Sequence, residues 1–172
     1  MDNPFTEVNR ARTIVGLLEL VPGMKVLDAG CGPGRLTLPL AEAVGPQGEV
    51  TALDIQEGML ARVRGKVNAA GLQNVQFIQA GLGEGKLAKA YYDRAALVTV
   101  LGEIPDPVTA LKEIYDALKP DGILSVTEVI FDPHFHGRET VVRIAEQAGF
   151  KEKNFFGKKL AYTMHLEKSA DG

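Results

Sequence analysis

Cysteine is almost missing from this 172-residue chain, which has only Cys31. A single thiol excludes an intramolecular disulfide and leaves no thiol cluster for a structural metal, so the expectation is a reducing, cytoplasmic setting with no metal. Positive charge is not in excess either. Nineteen Lys and Arg against 22 Asp and Glu leave a formal charge of −3, too little for the broad basic field that attracts nucleic acid or an anionic membrane surface. No apolar run approaches the ~18 residues of a membrane-spanning helix. The opening MDNPFTEVNR carries acids and a proline where a secretory signal needs an apolar stretch. Internal repeats, low-complexity tracts and long charge runs are lacking too. What is present is a hydrophobic content of 45%, enough to fill one core, and a single domain over 1–172 is expected.

Apolar residues recur at helical spacing over 6–20, predicting an N-terminal helix stopped by Val21-Pro22-Gly23. A short apolar strand over 24–29 and a helix over 36–44 follow, then a strand over 49–54, a helix over 57–70 and a strand over 75–80. Beyond a glycine-rich stretch at 81–85, the pattern gives a strand over 92–101, a helix over 107–118 opened by proline, and a strand over 122–130. A loop with two histidines leads to a helix over 137–148, and strands over 150–156 and 159–167 form an antiparallel pair turning at Gly157-Lys158. Strands alternating with helices imply right-handed βαβ units, and so an α/β, doubly wound Rossmann-like sandwich with helices on both faces. In such sheets ligands bind beyond the carboxyl ends of the strands.

The segment VLDAGCGPG at 26–34 puts Asp28 near the end of the first strand and Gly30, Gly32 and Gly34 in the turn that opens a helix. Without Cβ atoms, these glycines let the backbone turn sharply and approach a ligand closely. Alone they fit a ligand-free turn equally well. Asp54 closes the next strand, 20 residues after Gly34, where a carboxylate accepts hydrogen bonds from both hydroxyls of a ribose. The spacing is G-x-G-x-G, with Arg35 where a dinucleotide site would place its third glycine, which disfavours a nicotinamide-dependent dehydrogenase. Cys31 reads as a small residue packed beneath the turn rather than as a nucleophile.

These residues resemble the class I S-adenosylmethionine-dependent methyltransferases, in particular their small-molecule and quinone methyltransferase-like branch. VLDAGCGPG matches the family's first motif, and ALDIQEGML, YDRAALVTVLGEIPD and LKEIYDALKPDGILSVTE resemble its later segments in the same order. The resemblance implies a mostly parallel seven-stranded sheet with an antiparallel last strand, with S-adenosylmethionine as methyl donor and S-adenosylhomocysteine as product. It implies that Asp28 and the backbone of Ala29, Gly30 and Gly32 hold the methionine moiety, with Cys31 and Gly34 in the same cofactor-binding turn. Asp54 takes the ribose hydroxyls, Ile55 and Met59 flank the adenine, and Val98 and Thr99 lie beneath the sulfonium. The family often carries an acid after the third strand to contact the adenine amino group. Here that position is Gly81, leaving the Leu82 N–H or Glu84 as substitutes, or a loop with no such role. Residues 1–22 serve in relatives as a lid, or as ordinary packing.

Methyl transfer needs positioning and exclusion of water more than a dedicated catalytic group, and a base only for an acceptor that begins protonated. Glu103, after the fourth strand, and His136, in the loop after the fifth, are the candidates on the acceptor side, with Glu128 and His134 beside them. Each also reads as a cap, a solvated loop residue or packing. The acceptor is expected to be a small molecule, and the short loop at 132–137 predicts an open acceptor site or one completed by a second copy in a homo-oligomer. The alternative is an inactive S-adenosylmethionine-binding module acting as a sensor or partner subunit.

Overall fold

The computed structural model describes residues 10–170. Five helices and seven strands alternate: α1 (Ala11–Leu17), β1 (Lys25–Ala29), α2 (Thr37–Val44), β2 (Glu49–Asp54), α3 (Glu57–Ala69), β3 (Val75–Gln79), β4 (Tyr92–Val98), α4 (Pro107–Ala117), β5 (Leu118–Val129), α5 (Arg138–Gln147), β6 (Phe150–Lys158) and β7 (Ala161–Lys168). They build one sheet of order β3-β2-β1-β4-β5-β7-β6. The first five strands pair in parallel, and β7 inserts antiparallel between β5 and β6. This is the doubly wound α/β sandwich that the strand–helix alternation predicted.

The strands read as continuous apolar runs because the sheet is covered on both faces. The two-residue alternation of a strand then divides the core into two layers. Leu27, Leu53, Ala95 and Leu97 face one side and pack with Leu111, Ile114, Val141 and Ala145 of α4 and α5. Val26, Val50, Ala52 and Ala96 face the other and pack with Ile14, Leu40, Val44, Leu60 and Val63 of α1, α2 and α3. Strand order reverses between β1 and β4, and the crevice opens there.

Most boundaries shift by a residue or two, and three differ from the sequence reading for a visible tertiary reason. The fourth strand stops at Val98 rather than residue 101, because Thr99 takes φ +54 and a 3-10 turn follows at Leu101–Glu103. The fifth begins at Leu118, directly from α4, since Leu118 already pairs with Tyr92. In the last hairpin β6 continues through Gly157, at φ +107 opposite Tyr162, so the reversal falls at residues 159–160. Of the expected N-terminal helix, Ala11–Leu17 is helical, and residues 1–9 lie outside the described residues. No helix among the described residues is long and apolar enough to cross a membrane.

Leu111 is fully buried where α4 meets the sheet. Leu111→Ala is expected to lower the unfolding free energy by about 2–5 kcal/mol through lost burial and the cavity left behind, measured as a shifted urea midpoint at unchanged slope.

Candidate active site

Beyond Ala29 the chain turns through residues 30–34 with Gly30, Gly32 and Gly34 at φ +70, +52 and +88. The left-handed region penalises any Cβ, but the surroundings of the three glycines differ. A Cβ on Gly30 would fall 2.6 Å from Val100 Cγ2, and one on Gly34 3.0 Å from Val63 Cγ2, so packing reserves both positions. A Cβ on Gly32 would meet nothing within 4 Å. Gly32 lines a cleft of about 680 Å³ at the carboxyl ends of the strands, so the space kept open beside it belongs to the cleft.

Asp54 ties this turn to β2. The Gly32 N–H donates to its Oδ2 and the Gln56 N–H to its Oδ1, both at 2.9 Å. Gly30 and Cys31 donate in turn to the Leu53 carbonyl, at 2.8 and 3.0 Å. A carboxylate offers about four acceptor positions. Two are used by backbone, and Asp54 lines the cleft with acceptor capacity to spare.

Asp28, at the cleft floor, is 3% exposed and accepts a 2.6 Å hydrogen bond from the Thr37 hydroxyl of α2. Burial pushes its pKa up to about 6, the Thr37 bond opposes this, and the nearby Asp54 charge adds to it. Cys31 is buried beneath the turn, and burial together with Asp28 and Asp54 raises its thiol to about 12. Such a thiol stays protonated, which excludes nucleophilic work at neutral pH.

At the β3 end of the cleft, Ala80, Gly81 and Leu82 form the wall. Gly81 has no side chain to place there, but Glu84 folds back so that its Oε1 lies 2.9 Å from where a Gly81 Cβ would sit. Glu113, reaching over from α4, holds the loop from behind. Its carboxylate accepts N–H bonds from Gly83, from Lys86 at 2.7 Å and from Leu87 at 3.1 Å.

At the opposite end β4 stops at Thr99, a β-branched residue in the left-handed region, held there by its N–H to the Thr127 carbonyl at 2.9 Å. Such strain persists only where surrounding structure enforces it. It sends the chain into the 3-10 turn that brings Val100, Glu103, Ile104 and Pro105 to the cleft. Asp132, from the loop after β5, completes this wall, while Ala11 and Ile14 of α1 close another side. Ile14 and Leu18 are also core residues, so α1 is anchored as it lines the cleft.

The cleft thus gathers Asp28, Gly30, Cys31, Gly32, Asp54, Ile55, Met59, Gly81, Leu82, Val98, Thr99 and Glu103. Ala29 and Gly34 lie outside its wall, one buried in the strand and the other packed on Val63. His136 is not in the wall either; its N–H is bound by Glu128 at 3.1 Å and its carbonyl by the Tyr162 hydroxyl at 2.6 Å. Among the described residues no group of three or more His, Cys, Asp or Glu is placed to hold a metal. Gln56 and Val100 line the cleft unmarked by the sequence reading, while Ala11 and Ile14 come from the expected N-terminal helix and Asp132 from the expected acceptor-side loop. Gln56 was open to discovery as the residue two beyond Asp54, where an N–H naturally closes on the carboxylate. An acid in an irregular loop, like Asp132, carries no periodic signal.

A family model described as a methyltransferase domain matches residues 20–167. The demethylmenaquinone methyltransferase of Lactococcus lactis is 32% identical over 167 residues, covering 94% of this chain and 64% of the relative. The tRNA (adenine(58)-N(1))-methyltransferase of Thermus thermophilus is 39% identical over 142 residues, covering 82% and 52%. The chain therefore spans between about half and two thirds of the length of these curated relatives. Among solved structures, a SAM-dependent methyltransferase from Aquifex aeolicus superposes with a TM-score of 0.85 at 25% identity, covering 96% of this chain and 93% of that one.

Asp28 makes stability depend on pH. A carboxyl raised from 3.8 to about 6 on folding contributes stability that is complete below pH 4 and lost as pH rises through 6. Asp28→Asn, which does not ionise and keeps an acceptor for Thr37, is expected to flatten this segment of the melting-temperature profile. The ligand-free variant should be more stable than the parent at pH 7.5, by up to about 3 kcal/mol. Glu113→Ala should leave three loop N–H groups without their acceptor. Hydrogen exchange at 83–87 should then rise about tenfold or more, with protection in β1 and β2 unchanged.

Proposed function

The chain belongs to the methyltransferase-domain family, and from that premise we propose that it is an S-adenosylmethionine-dependent methyltransferase acting on a small-molecule acceptor. Asp54 carries this reading. It is a carboxylate fixed by two backbone N–H groups, with lone pairs left over, facing a cleft whose glycine turn leaves open space at Gly32. A volume of about 680 Å³ lies within the range of sites that enclose a nucleoside-sized ligand.

When bound, S-adenosylmethionine supplies a methyl group on a positively charged sulfonium. Asp54 would accept hydrogen bonds from the ribose hydroxyls, and Ile55 and Met59, which line the cleft beside it, would flank the base. Beside Gly81, Leu82 lines the cleft and would offer its N–H to the base, while Glu84, folded beside Gly81 but outside the wall, is the nearest acid. Ionised Asp28 pairs with the ammonium of the methionine moiety at the floor, and the backbone of the 30–34 turn holds its carboxylate. The apolar faces of Ile14, Val98, Val100 and Ile104 exclude water around the transferred methyl. With the ribose and base held at β2 and β3, the acceptor would enter at β4 and β5, where Glu103 and Asp132 would be available to take a proton from an acceptor that carries one.

The names of the relatives point to two acceptor classes, a quinone and a tRNA. A net charge of −3 and a cleft that carries Asp28, Asp54, Glu103 and Asp132 favour the small molecule over a polyanionic nucleic acid here. Exposed rim residues on the β4 side, Glu103 and Pro105, leave that end of the cleft open, which supports completion of the acceptor site by a second copy. A buried, protonated single thiol accords with a reducing, cytoplasmic setting.

Calorimetry with S-adenosylhomocysteine should show saturable binding that strengthens between pH 5 and 7, because below about 6 Asp28 must release a proton to pair with the ammonium. Asp54→Ala should weaken this binding about tenfold or more, through loss of charge-assisted bonds to the ribose. A transfer assay with labelled donor against quinols, phenols, heterocyclic amines and tRNA tests the acceptor. Turnover on tRNA alone overturns the small-molecule reading, and binding without turnover on any class favours a sensor or partner subunit.

A further inference from the structure

Glu128 is the most deeply buried acid that the cofactor cleft leaves unused: it is 1% exposed, and its Oε1 has no hydrogen-bond partner. It lies opposite Tyr162 in the β5–β7 ladder. From this shared register the Glu128 Oε2 accepts the His136 N–H at 3.1 Å, while the Tyr162 hydroxyl donates to the His136 carbonyl at 2.6 Å. Residue 136 is therefore gripped at both of its main-chain polar groups by neighbouring strands. Phe155 stacks on the Tyr162 ring at 5.1 Å and Phe135 meets its edge at 6.3 Å, which fixes the phenol.

The gripped loop reaches the cleft by two routes. Asp132 lines the cleft and shapes the loop through an Oδ1 bond from the His134 N–H at 2.7 Å. His134 in turn presses on the 3-10 turn so closely that a Cβ on Gly102 would collide with its carbonyl oxygen. Glu103, the next residue, lines the cleft.

We propose that Glu128 is a positioning residue for the acceptor side: by clasping His136 together with Tyr162, it sets the loop that places Asp132 in the cleft and seats the Glu103 turn. The word acceptor rests on the cofactor assignment above, but the clasp is a property of the ligand-free protein. Burying a carboxylate with one unpartnered oxygen is costly, and a purely structural tie would be served as well by a neutral amide. Burial and the Asp132 charge raise Glu128 to about 7, opposed by the His136 N–H. The grip therefore changes strength near neutrality. The ionisable groups facing it among the described residues are Asp132 in the loop and Tyr162 on β7, with the His134 and His136 imidazoles in the same loop.

The test is NMR of the ligand-free chain as a function of pH, comparing the parent with Glu128→Gln and Glu128→Leu. In the parent, the His136 amide proton is expected to move downfield with a midpoint near 7, and the Gly102, Glu103 and Asp132 amides to follow the same midpoint. Glu128→Gln keeps an acceptor and should keep the loop ordered while removing this titration. Both imidazoles remain, so the difference isolates the carboxylate. Glu128→Leu should raise amide exchange over 131–137 about tenfold or more, with S-adenosylhomocysteine affinity within about threefold of the parent. Survival of the His136 titration in Glu128→Gln overturns the clasp. Failure of Gly102 and Asp132 to follow His136 overturns its reach into the cleft. Loss of S-adenosylhomocysteine affinity in the variants would place Glu128 in the cofactor machinery instead. Absence of that binding in the parent would sink the cofactor assignment while leaving the clasp standing.

Discussion

The Asp54 carboxylate is the point on which the cleft is built. Its two oxygens take the Gly32 and Gln56 N–H groups, so the turn after β1 and the chain after β2 become one rigid edge. Both would otherwise be irregular backbone ending in solvent. The Leu53 carbonyl, accepting from Gly30 and Cys31, reinforces the same seam. An acid in this position has two tasks at once: it satisfies the orphan donors of a tight turn and still presents acceptor capacity to a ligand. A neutral side chain of similar size would perform the first less well and the second hardly at all.

Carboxylates recur as organisers along the strand ends, each in a different electrostatic setting. Asp28 is buried, and burial with the neighbouring Asp54 charge raises its pKa to about 6 against the Thr37 hydrogen bond. Glu113 gathers three N–H groups of the loop at the β3 end. Glu128 holds the loop at the β5 end with a single N–H and an unpartnered oxygen. The two ends of the cleft are thus braced from outside by acids that do not line it. The loop at the β3 end is tied by three N–H bonds to one carboxylate and the loop at the β5 end by one, so the two differ in how firmly they are held.

Most of the architecture was legible in the sequence because a parallel, doubly covered sheet leaves strong traces. Its strands are apolar runs, α2, α3 and α5 run out into Gly45, Gly71 and Gly149, and Pro107 and Asp106 mark the start of α4. Errors fell where tertiary contacts override local preference. Thr99 belongs by propensity to a strand, yet its left-handed backbone ends β4 three residues early. Leu118 follows a helix without a breaker because pairing with Tyr92 claims it for the sheet. Gly157 looks like a turn residue and instead continues β6 opposite Tyr162.

The order of elements, the glycine turn and the acid that follows it 20 residues later are written in the amino-acid order, because these depend on backbone freedom and side-chain type at fixed spacing. Only the tertiary structure decided which glycine faces ligand space and which faces Val100 or Val63, since a missing Cβ has no meaning without its neighbours. It also decided the roles of the acids. Glu84, Glu113, Glu128 and Asp132 look alike in the sequence. One folds beside Gly81, one braces a loop, one is buried under another and one lines the cleft, because the sheet brings distant segments to its carboxyl edge and sets the burial and partners of each.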